Sequence, residues 1–431
     1  MEKNKLFEIL NDWNFWDKPL PDYIDRPDYQ SKINTFIRSG EVIVLKGIRR
    51  SGKSTLLINH IKQLVNDGVN AKEILFINFE DPRFTDELNA GLLDQILDVY
   101  KELINSETKP HIFLDEVQNV SQWEKWIRTG YELNKAHFYV TGSSSKLLGK
   151  EFGSALSGRY LGIDVFPLGF KEFLFFKGFP MPDNQELITK RLALKKEFND
   201  FIKEGGFPRL VSLDKELKKP ELIMYFETII LKDIVARYNL KNYDNVKKVA
   251  QYLLSNIGNP FNINRLRTAL RLSYDLTDKY YEYLKDAYLL FELRQFDYSL
   301  QKQYSGKRKV YSIDNGILSH TSFKLSDDYG RYLENLIFVE LLRRNHEVYF
   351  YSGKKECDFL IKDENKVTQA IQVSRSLQNE ETKSHEISGL IEALDNFGMQ
   401  EGLILTEDEE ESIDINNYKI IVQPAWKWLL S

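Results

Sequence analysis

The chain has 431 residues, 42% of them apolar and 29% charged, with a formal net charge of −5 at pH 7. This length and composition predict a soluble protein of about three domains, and the negative balance excludes a global attraction to nucleic acid. The single cysteine, Cys357, excludes an internal disulfide framework and a cysteine-rich zinc site. We find no signal peptide and no membrane-length apolar run, which predicts a cytoplasmic protein without membrane association.

Residues 1–40 form an N-terminal extension, in which an aromatic cluster precedes a helix predicted at Tyr29–Arg38. Residues 41–166 then alternate short apolar runs with amphipathic segments, the pattern of a parallel α/β sheet. The first apolar run, Val42–Leu45, leads into a glycine-bounded loop and a helical pattern, the context that a phosphate-binding P-loop requires.

The P-loop signature is Gly-x-x-x-x-Gly-Lys-Ser, in which glycines let backbone N–H groups approach a polyphosphate. Its lysine supplies a mobile charge near the β- and γ-phosphates, and its serine hydroxyl suits Mg²⁺. Because strand and helix flank the loop, a chance match in a basic turn is the weaker alternative. The candidate nucleotide-binding residues are Gly47, Ile48, Arg49, Arg50, Ser51, Gly52, Lys53, Ser54 and Thr55.

A second buried run, His111–Glu116, ends in two acids. Carboxyl ends of parallel strands meet at the edge where α/β folds bind ligands, so these carboxylates belong with the P-loop. Asp115 is the candidate Mg²⁺ ligand, and Glu116 is placed to orient or deprotonate the attacking water. The alternative is that both acids cap the helix around Trp123–Tyr131.

The strand His137–Thr141 runs into serines, of which Ser143 and Ser144 either sense the γ-phosphate or cap the next helix. Farther on, Arg159 precedes the apolar strand Tyr160–Phe166. This arginine either contacts phosphate, in its own subunit or a neighbour's, or makes a structural ion pair.

The ordered motifs GIRRSGKST, FINFEDPR, IFLDEVQNV, YVTGSSSKLL, LSGRY and FPLGFKEFL resemble the bacterial and archaeal AAA+ type ATPases that carry a C-terminal DUF4143-like region. The resemblance implies an ATPase that uses ATP and Mg²⁺ and forms a homo-oligomer. It makes Lys53 and Ser54 the Walker A residues, Asp115 and Glu116 the Walker B residues, and Ser143 or Ser144 the sensor. Arg159 becomes the family arginine and Asn78 the residue that restrains the catalytic glutamate.

Residues 167–244 predict a helical lid and linker, because phenylalanines recur there at helical spacing. Residues 245–325 show helix, helix-turn-helix and two strands, the order of a winged helix. Residues 245–310 contain 12 Lys and Arg against 6 Asp and Glu. This local basic balance, with Lys279, Tyr280, Tyr283 and Lys285 on the third helix, is compatible with duplex DNA. Acids on the same helix keep a protein-packing role open as the alternative.

The order αβββαβ in residues 326–431 resembles the restriction-endonuclease-like fold. Glu334 and Asp358 stand at two acidic positions of that fold, whereas Gln372 replaces the third acid and Ser374 replaces the catalytic lysine. We expect a degenerate nuclease-like site, unless Lys354, Lys355 or Arg375 supplies the missing charge.

The fold class predicted is therefore α/β: a P-loop NTPase of AAA+ type, followed by a winged-helix module and a restriction-endonuclease-like domain. The function predicted is ATP hydrolysis coupled to engagement of DNA or a protein partner. Two alternatives remain: a nucleotide-gated binding module with negligible turnover, and an active ATP-dependent nuclease.

Overall fold

Short apolar runs form the strands of a five-stranded parallel sheet in the first of two units, Met1–Val165. The computed structural model describes residues 1–144, 156, 158–182, 184–321 and 329–431. Ser145, Ser157 and the domain boundary predicted at 325/326 lie outside these residues. The strands are β1 (Val42–Lys46), β2 (Ile74–Asn78), β3 (His111–Asp115), β4 (His137–Gly142) and β5 (Tyr160–Asp164).

The strand order is β2-β3-β4-β1-β5. Successive residues point to opposite faces of the sheet, so Val44 packs in one core cluster and its neighbour Leu45 in another. Helices cover the strands, and short 3-10 turns lie at 71–73, 82–87 and 117–119. The helices are α1 (Lys3–Trp13), α2 (Pro27–Ile37), α3 (Lys53–Asn66), α4 (Ala90–Leu103) and α5 (Trp123–Glu132).

The N-terminal extension is an integral part of this first unit. Its residue Asn14 bonds both backbone groups of Phe76, through Nδ2 to the carbonyl at 2.9 Å and through Oδ1 from the N–H at 2.7 Å. Trp16 Nε1 donates to the Ile74 carbonyl at 2.8 Å. Because β2 is an edge strand, these side chains satisfy backbone groups that an open edge would leave unpaired.

The second unit, Phe166–Ser431, begins with a helical region. A π-helix, Ile229–Ala236, directly follows the helix Lys215–Thr228. The sequence alone predicts one regular helix over Tyr225–Tyr238. The helices are α6 (Phe170–Phe176), α7 (Asn184–Thr189), α8 (Arg191–Glu204), α9 (Pro208–Val211) and α10 (Lys215–Thr228).

Three helices and a small antiparallel sheet, ordered β6-β8-β7, follow in the second unit. Asn262 and Ser273 cap the second and third of these helices with their side chains. A short helix occupies the connection between β7 and β8, which the sequence predicts as a basic tip. The elements are α11 (Tyr243–Leu254), β6 (Pro260–Phe261), α12 (Ile263–Leu270), α13 (Tyr274–Asp286), β7 (Leu290–Arg294), α14 (Leu300–Ser305) and β8 (Arg308–Ser312).

The chain ends in a six-stranded mixed sheet, ordered β13-β14-β12-β11-β10-β9. A hairpin of β13 and β14, which the sequence interpretation missed, extends the four strands that were predicted. The elements are α15 (Asn315–Thr321), α16 (Tyr329–Arg343), β9 (Glu347–Ser352), β10 (Glu356–Asp363), β11 (Lys366–Val373), α17 (Glu380–Phe397), β12 (Glu401–Thr406), β13 (Glu411–Ile415), β14 (Tyr418–Pro424) and α18 (Ala425–Trp428). No helix among the described residues is long and apolar enough to cross a membrane.

Candidate functional site

The loop between β1 and α3 depends on two glycines for different reasons. Gly52 has φ +96° at the N-terminus of α3, a conformation that strains any residue with a Cβ. Gly47 has φ +153°, and a Cβ added there would lie 2.2 Å from the Val165 carbonyl oxygen. The sequence interpretation explained both glycines by the approach of the backbone to a phosphate. In the structure, Gly47 is needed because the chain after β5 passes too close for a Cβ.

The side chains of the two Walker motifs meet at the carboxyl edge of the sheet. Ser54 Oγ donates to Asp115 Oδ2 at 2.7 Å. Lys53 is only 4% exposed, and its Nζ lies 3.7 Å from Glu116 Oε1. The same ammonium donates to the carbonyls of Gly47 and Ile48 at 3.0 Å each. The structure thus brings together the four residues that the motifs predicted.

The loop is supported from behind by the N-terminal extension. Arg26, which is buried, donates from Nη1 to the Ser51 carbonyl at 3.0 Å, and its guanidinium lies 4.3 Å from the centre of the Tyr29 ring. Ser51 Oγ is buried and has no hydrogen-bond partner in the described structure. A buried hydroxyl of this kind is a donor that a phosphate oxygen would satisfy.

The remaining predicted loop residues sit at the rim. Arg49 forms an ion pair with Glu80, with 2.5 Å between Nη1 and Oε1. Arg50 is exposed and has φ +70°, and Thr55 is half-buried in the first turn of α3.

Burial and opposing charges set the electrostatics of the two acids. Burial and the charge of Glu116 raise the pKa of Asp115 to about 6. Burial alone would raise the pKa of Glu116 also, but the charges of Lys53 and Arg49 outweigh it and lower that pKa. Glu116 is therefore held as a carboxylate, and its backbone has φ +54°, a strained value of the kind found at functional sites.

Thr141, at the end of β4, is a site residue that sequence reasoning missed. Its hydroxyl donates to Asp115 Oδ1 and accepts the backbone N–H of Glu116 at 2.9 Å. One threonine therefore fixes both Walker B acids. The available signal was a hydroxyl residue ending the strand next to β3.

Gln118, also missed, holds the carboxylate of Glu116. Gln118 Nε2 donates to Glu116 Oε2 at 2.5 Å and lies 3.5 Å from Ser143 Oγ. Asn78, which the resemblance assigned to restraining the glutamate, accepts the N–H of Glu80 at 2.8 Å instead. Among the described residues, Asn78 makes no hydrogen bond to Glu116, because its amide closes a turn after β2.

The sensor serines lie beside this arrangement. Ser143 and Ser144 are both buried, and a hydrogen bond from Ser143 contributes to the lowered pKa of Glu116. Ser143 therefore touches the predicted catalytic carboxylate.

Arg159 lies at the amino-terminal end of the strands, whereas the P-loop lies at their carboxyl-terminal end. In the parallel pair of β1 and β5, Val42 is opposite Tyr160, so Arg159 sits where β1 begins. The P-loop follows Lys46, about 13 Å farther along the strand at 3.3 Å per residue. Arg159 forms an ion pair with Glu132 there. The described structure does not bring it to the site of its own chain.

The oxygen atoms of Ser54 and Asp115 fit a Mg²⁺ ion bound with a nucleotide, because Mg²⁺ prefers one or two protein oxygens beside phosphate oxygens. The buried Ser51 hydroxyl and the ammonium of Lys53 add donors on the phosphate side. The arrangement is thus chemically suited to bind a nucleoside triphosphate and to activate a water molecule.

The third helix of the basic region, α13, uses most of its predicted DNA-facing residues internally. Tyr280 is buried, and Tyr283 stacks on Tyr238 with ring centres 3.7 Å apart. Lys285 pairs with Glu282 at 2.8 Å, whereas Lys279 is exposed. Packing therefore occupies Tyr280 and Tyr283, whereas DNA contact through Lys279 and Lys285 stays a prediction.

In the nuclease-like region, a lysine from outside the predicted set reaches the acids. Lys309 of β8 lies 3.5 Å from Glu334 and 3.7 Å from Asp358. Of the three replacements that the sequence interpretation considered, Arg375 pairs with Glu407 instead. No ion pair joins Lys354 or Lys355 to Glu334 or Asp358 among the described residues.

The replaced positions make local contacts. Gln372 Oε1 accepts the N–H of Asp358 at 3.2 Å, and Gln372 Nε2 donates to Glu386 at 2.5 Å. Ser374 Oγ donates to the Ser376 carbonyl at 3.3 Å. Through this hydrogen bond, Gln372 contacts a further acid, Glu386, that the sequence interpretation did not single out.

Comparison with known families places an AAA domain at residues 39–174 and a domain of unknown function, DUF8612, at residues 195–346. The protein named "Uncharacterized protein MJ1544" from Methanocaldococcus jannaschii is 36% identical over 414 residues, which cover 91% of this chain and 88% of that protein. An "Uncharacterized protein" from Haemophilus influenzae is 30% identical over 411 residues, covering 94% and 98%. The AMPPCP-bound DnaA of Aquifex aeolicus aligns over 64% of this chain and 92% of that one, with 14% identity and a TM-score of 0.28.

Proposed function

We propose that this chain, which belongs to the same family as MJ1544 and contains an AAA domain at residues 39–174, is a Mg²⁺-dependent ATPase. The observation that carries the proposal is the meeting of the Walker side chains, with Ser54 and Asp115 in a 2.7 Å hydrogen bond and Lys53 beside Glu116. These groups supply a cation for phosphates, oxygens for Mg²⁺ and a carboxylate for water.

Each residue has a defined task in this proposal. Lys53 exchanges its carbonyl partners for phosphate oxygens, which it neutralises, and Ser54 and Asp115 hold the metal ion. Bound Mg²⁺ supplies charge neutralisation at the β- and γ-phosphates. Glu116 accepts a proton from the attacking water or orients it, and its lowered pKa keeps it ionised for that task.

The position of Arg159 favours catalysis between subunits. Arg159 sits at the end of the sheet where β1 and β5 begin, away from the P-loop of its own chain. If one subunit docked the end of its sheet that carries Arg159 against the P-loop end of its neighbour, the guanidinium would reach the neighbour's phosphates, as an arginine finger supplied in trans does. The proposal therefore includes homo-oligomers.

One observation favours a second candidate, a nucleotide-gated binding module with negligible turnover. Lys53 donates to two backbone carbonyls and Glu116 accepts a short bond from Gln118. Lys53 and Glu116 must both exchange these hydrogen-bond partners before hydrolysis, so this arrangement is a resting state. A partner that releases Glu116 would distinguish a gated ATPase from a module that only switches.

Engagement of duplex DNA through the second unit is the finer part of the proposal. The order α11, β6, α12, α13, β7, β8 is that of a winged helix. Its exposed basic side chains include Arg265 on α12, Arg271 after it and Lys279 on α13, together with Lys302 and Lys307 between β7 and β8. These five residues are the candidate contacts with phosphates.

Steady-state ATP turnover, measured across protein concentrations with and without duplex DNA, tests the proposal. We expect turnover per subunit to rise with concentration, Lys53→Ala to abolish turnover, and Glu116→Gln to bind ATP while losing about 100-fold or more in rate. If Glu116→Gln turns over at the parental rate, its assigned role is wrong. Turnover that stays very low at all concentrations and ignores DNA would favour the gated module.

A further inference from the structure

An exposed aromatic and basic surface lies in the connection between β7 and β8, residues 294–308, which we call the tyrosine segment. Three of its large apolar side chains are largely in solvent: Tyr298 is 78% exposed, Leu300 is 69% exposed and Tyr304 is 66% exposed. The segment contains four basic residues against one acid, whereas the whole chain has a net charge of −5. Apolar faces clustered in this way, among positive charges, indicate a binding surface.

Neighbouring aromatic rings position Tyr298. Its ring meets Phe296 edge to face, with ring centres 5.2 Å apart, and lies 6.3 Å from Phe397 at the end of α17. Phe296 in turn packs on Phe397 at 5.1 Å and on Tyr349 of β9 at 5.4 Å. Because these contacts already restrict the Tyr298 side chain, a ligand that packs on its exposed part orders it at little cost in entropy.

A cation orients the second ring, Tyr304. The Arg294 guanidinium lies over this ring, 4.3 Å from its centre, and donates from Nε to Glu292 at 2.7 Å. Since the guanidinium covers one face of the ring, the opposite face accounts for the exposure of Tyr304. Gln303 Nε2 donates to the Asp297 carbonyl at 2.6 Å, which ties α14 to the chain before it. Both tyrosines are therefore presented by a structured segment.

Basic side chains lie next to the two tyrosines along the chain. Lys302, whose side chain is 74% exposed, lies 3.9 Å from Asp297, and the exposed Lys307 donates to Ser352 Oγ at 3.1 Å. Surface contacts of this kind contribute little, so both ammonium groups can exchange them for phosphate oxygens. Aromatic faces for bases and cations for the backbone are the two features that bind a single nucleic-acid strand.

We propose that the tyrosine segment binds single-stranded nucleic acid, with bases stacked on Tyr298 and Tyr304 and phosphates at Lys302 and Lys307. The proposal rests on the proposed engagement of nucleic acid by the second unit, and it names unpaired bases as what this segment recognises. In a duplex the base faces are stacked on one another, so a tyrosine ring reaches them only after unstacking. Every unpaired base offers such a face, so binding should depend little on sequence.

Fluorescence anisotropy with the full-length protein, without nucleotide, tests stacking separately from charge. The probes are a labelled oligothymidylate and a labelled abasic deoxyribose-phosphate strand of the same length, which carries the same phosphates without bases. We expect the parent to bind the oligothymidylate more tightly than the abasic strand. Tyr298→Ala and Tyr304→Ala should each weaken binding of the oligothymidylate by about fivefold or more and leave binding of the abasic strand unchanged.

Two sets of variants control for changes other than the loss of a ring. Tyr298→Phe and Tyr304→Phe keep the aromatic face and should bind the oligothymidylate as the parent does. Tyr23→Ala removes an exposed tyrosine of the first unit and should also leave binding unchanged. A loss in the alanine variants that the phenylalanine variants do not share therefore reports stacking.

Three results would overturn the proposal. If the parent binds the oligothymidylate and the abasic strand equally well, charge alone accounts for the binding. If both alanine variants bind the oligothymidylate as the parent does, the bases stack elsewhere. If the parent binds neither strand, the exposed tyrosines serve a protein partner. ATP turnover and duplex binding are measured separately, so their failure would not imitate any of these results.

Discussion

Gln118 Nε2 donates a 2.5 Å hydrogen bond to Glu116 Oε2, so the predicted catalytic carboxylate is held by a residue two positions later in the chain. A restraint that is local in sequence can be released by a small movement of the 3-10 turn at 117–119. The hydrogen-bond partner of this carboxylate thus comes from the turn after β3, whereas Asn78, at the end of β2, bonds the N–H of Glu80.

Gln118→Ala should raise basal ATP turnover. A hydrogen bond to a charged group contributes about 1.5 to 3 kcal/mol, and 1.4 kcal/mol corresponds to tenfold, so we expect kcat to rise about ten- to hundredfold. KM for ATP should be unchanged, because the hydrogen bonds that Gln118 makes among the described residues go to Glu116 and Ser143. The exposed neighbour Asn119→Ala is the control. A fall in kcat would mean that Gln118 positions Glu116 for chemistry instead of restraining it.

Arg159→Ala should abolish most turnover in a way that mixing subunits can restore. If the arginine acts in trans, an oligomer that combines Arg159→Ala with Lys53→Ala subunits contains interfaces with both an intact P-loop and an intact arginine. Turnover should then exceed that of either variant alone. Glu132→Gln, which removes the partner of Arg159, is the structural control. Mixtures that remain inactive while forming oligomers would exclude the role in trans.

Asn14→Ala should destabilise the first unit. The change leaves the buried N–H and carbonyl of Phe76 without the partners that the edge strand needs, at about 1 to 3 kcal/mol for each unsatisfied group. Urea unfolding measures the loss, and the exposed Asn11→Ala should have an effect within about 0.5 kcal/mol of zero. Equal stability of the two variants would show that the extension does not secure β2.

Glu386→Gln should change how stability depends on pH. Burial and the charge of Asp358 raise the folded-state pKa of Glu386 from 4.5 to about 7. The folded state therefore holds this proton more tightly, which contributes stability that is complete below pH 4.5 and is lost as pH rises through 7.

The variant lacks this titration, so its stability relative to the parent should increase by about 2 kcal/mol between pH 4.5 and pH 8. This figure is lower than the full shift would give, because the side chain is half-buried. Chemical unfolding across that range measures it, with the exposed Glu381→Gln as control. Parallel curves for parent and variant would contradict the raised pKa.

Contiguous motifs made part of this site predictable. The P-loop and the two acids of β3 each lie within a few residues of a strand end, and parallel strands bring their carboxyl ends to one edge without further information. Ser54 and Asp115 could therefore be paired from the sequence.

Residues that reach either candidate site from another strand were harder to predict. Thr141 reaches the two acids of β3, and Lys309 reaches Glu334 and Asp358 in the second unit, through strand order and packing that one sequence does not give. The acidic run Glu407–Glu411 shows the same limit: its charge alone predicts a solvated loop, whereas Glu409 accepts hydrogen bonds from the Ser376 hydroxyl and the N–H of Leu377.

The contact between Arg26 and the Ser51 carbonyl has a consequence for how related chains are recognised. A protein whose translation began after residue 26 would keep every letter of the glycine-lysine-serine signature while losing the guanidinium that shapes the loop from behind. Possession of the motif and possession of a working pocket are separate properties in such chains. A start site assigned too far downstream would thus yield a recombinant protein that looks complete and binds its nucleotide poorly.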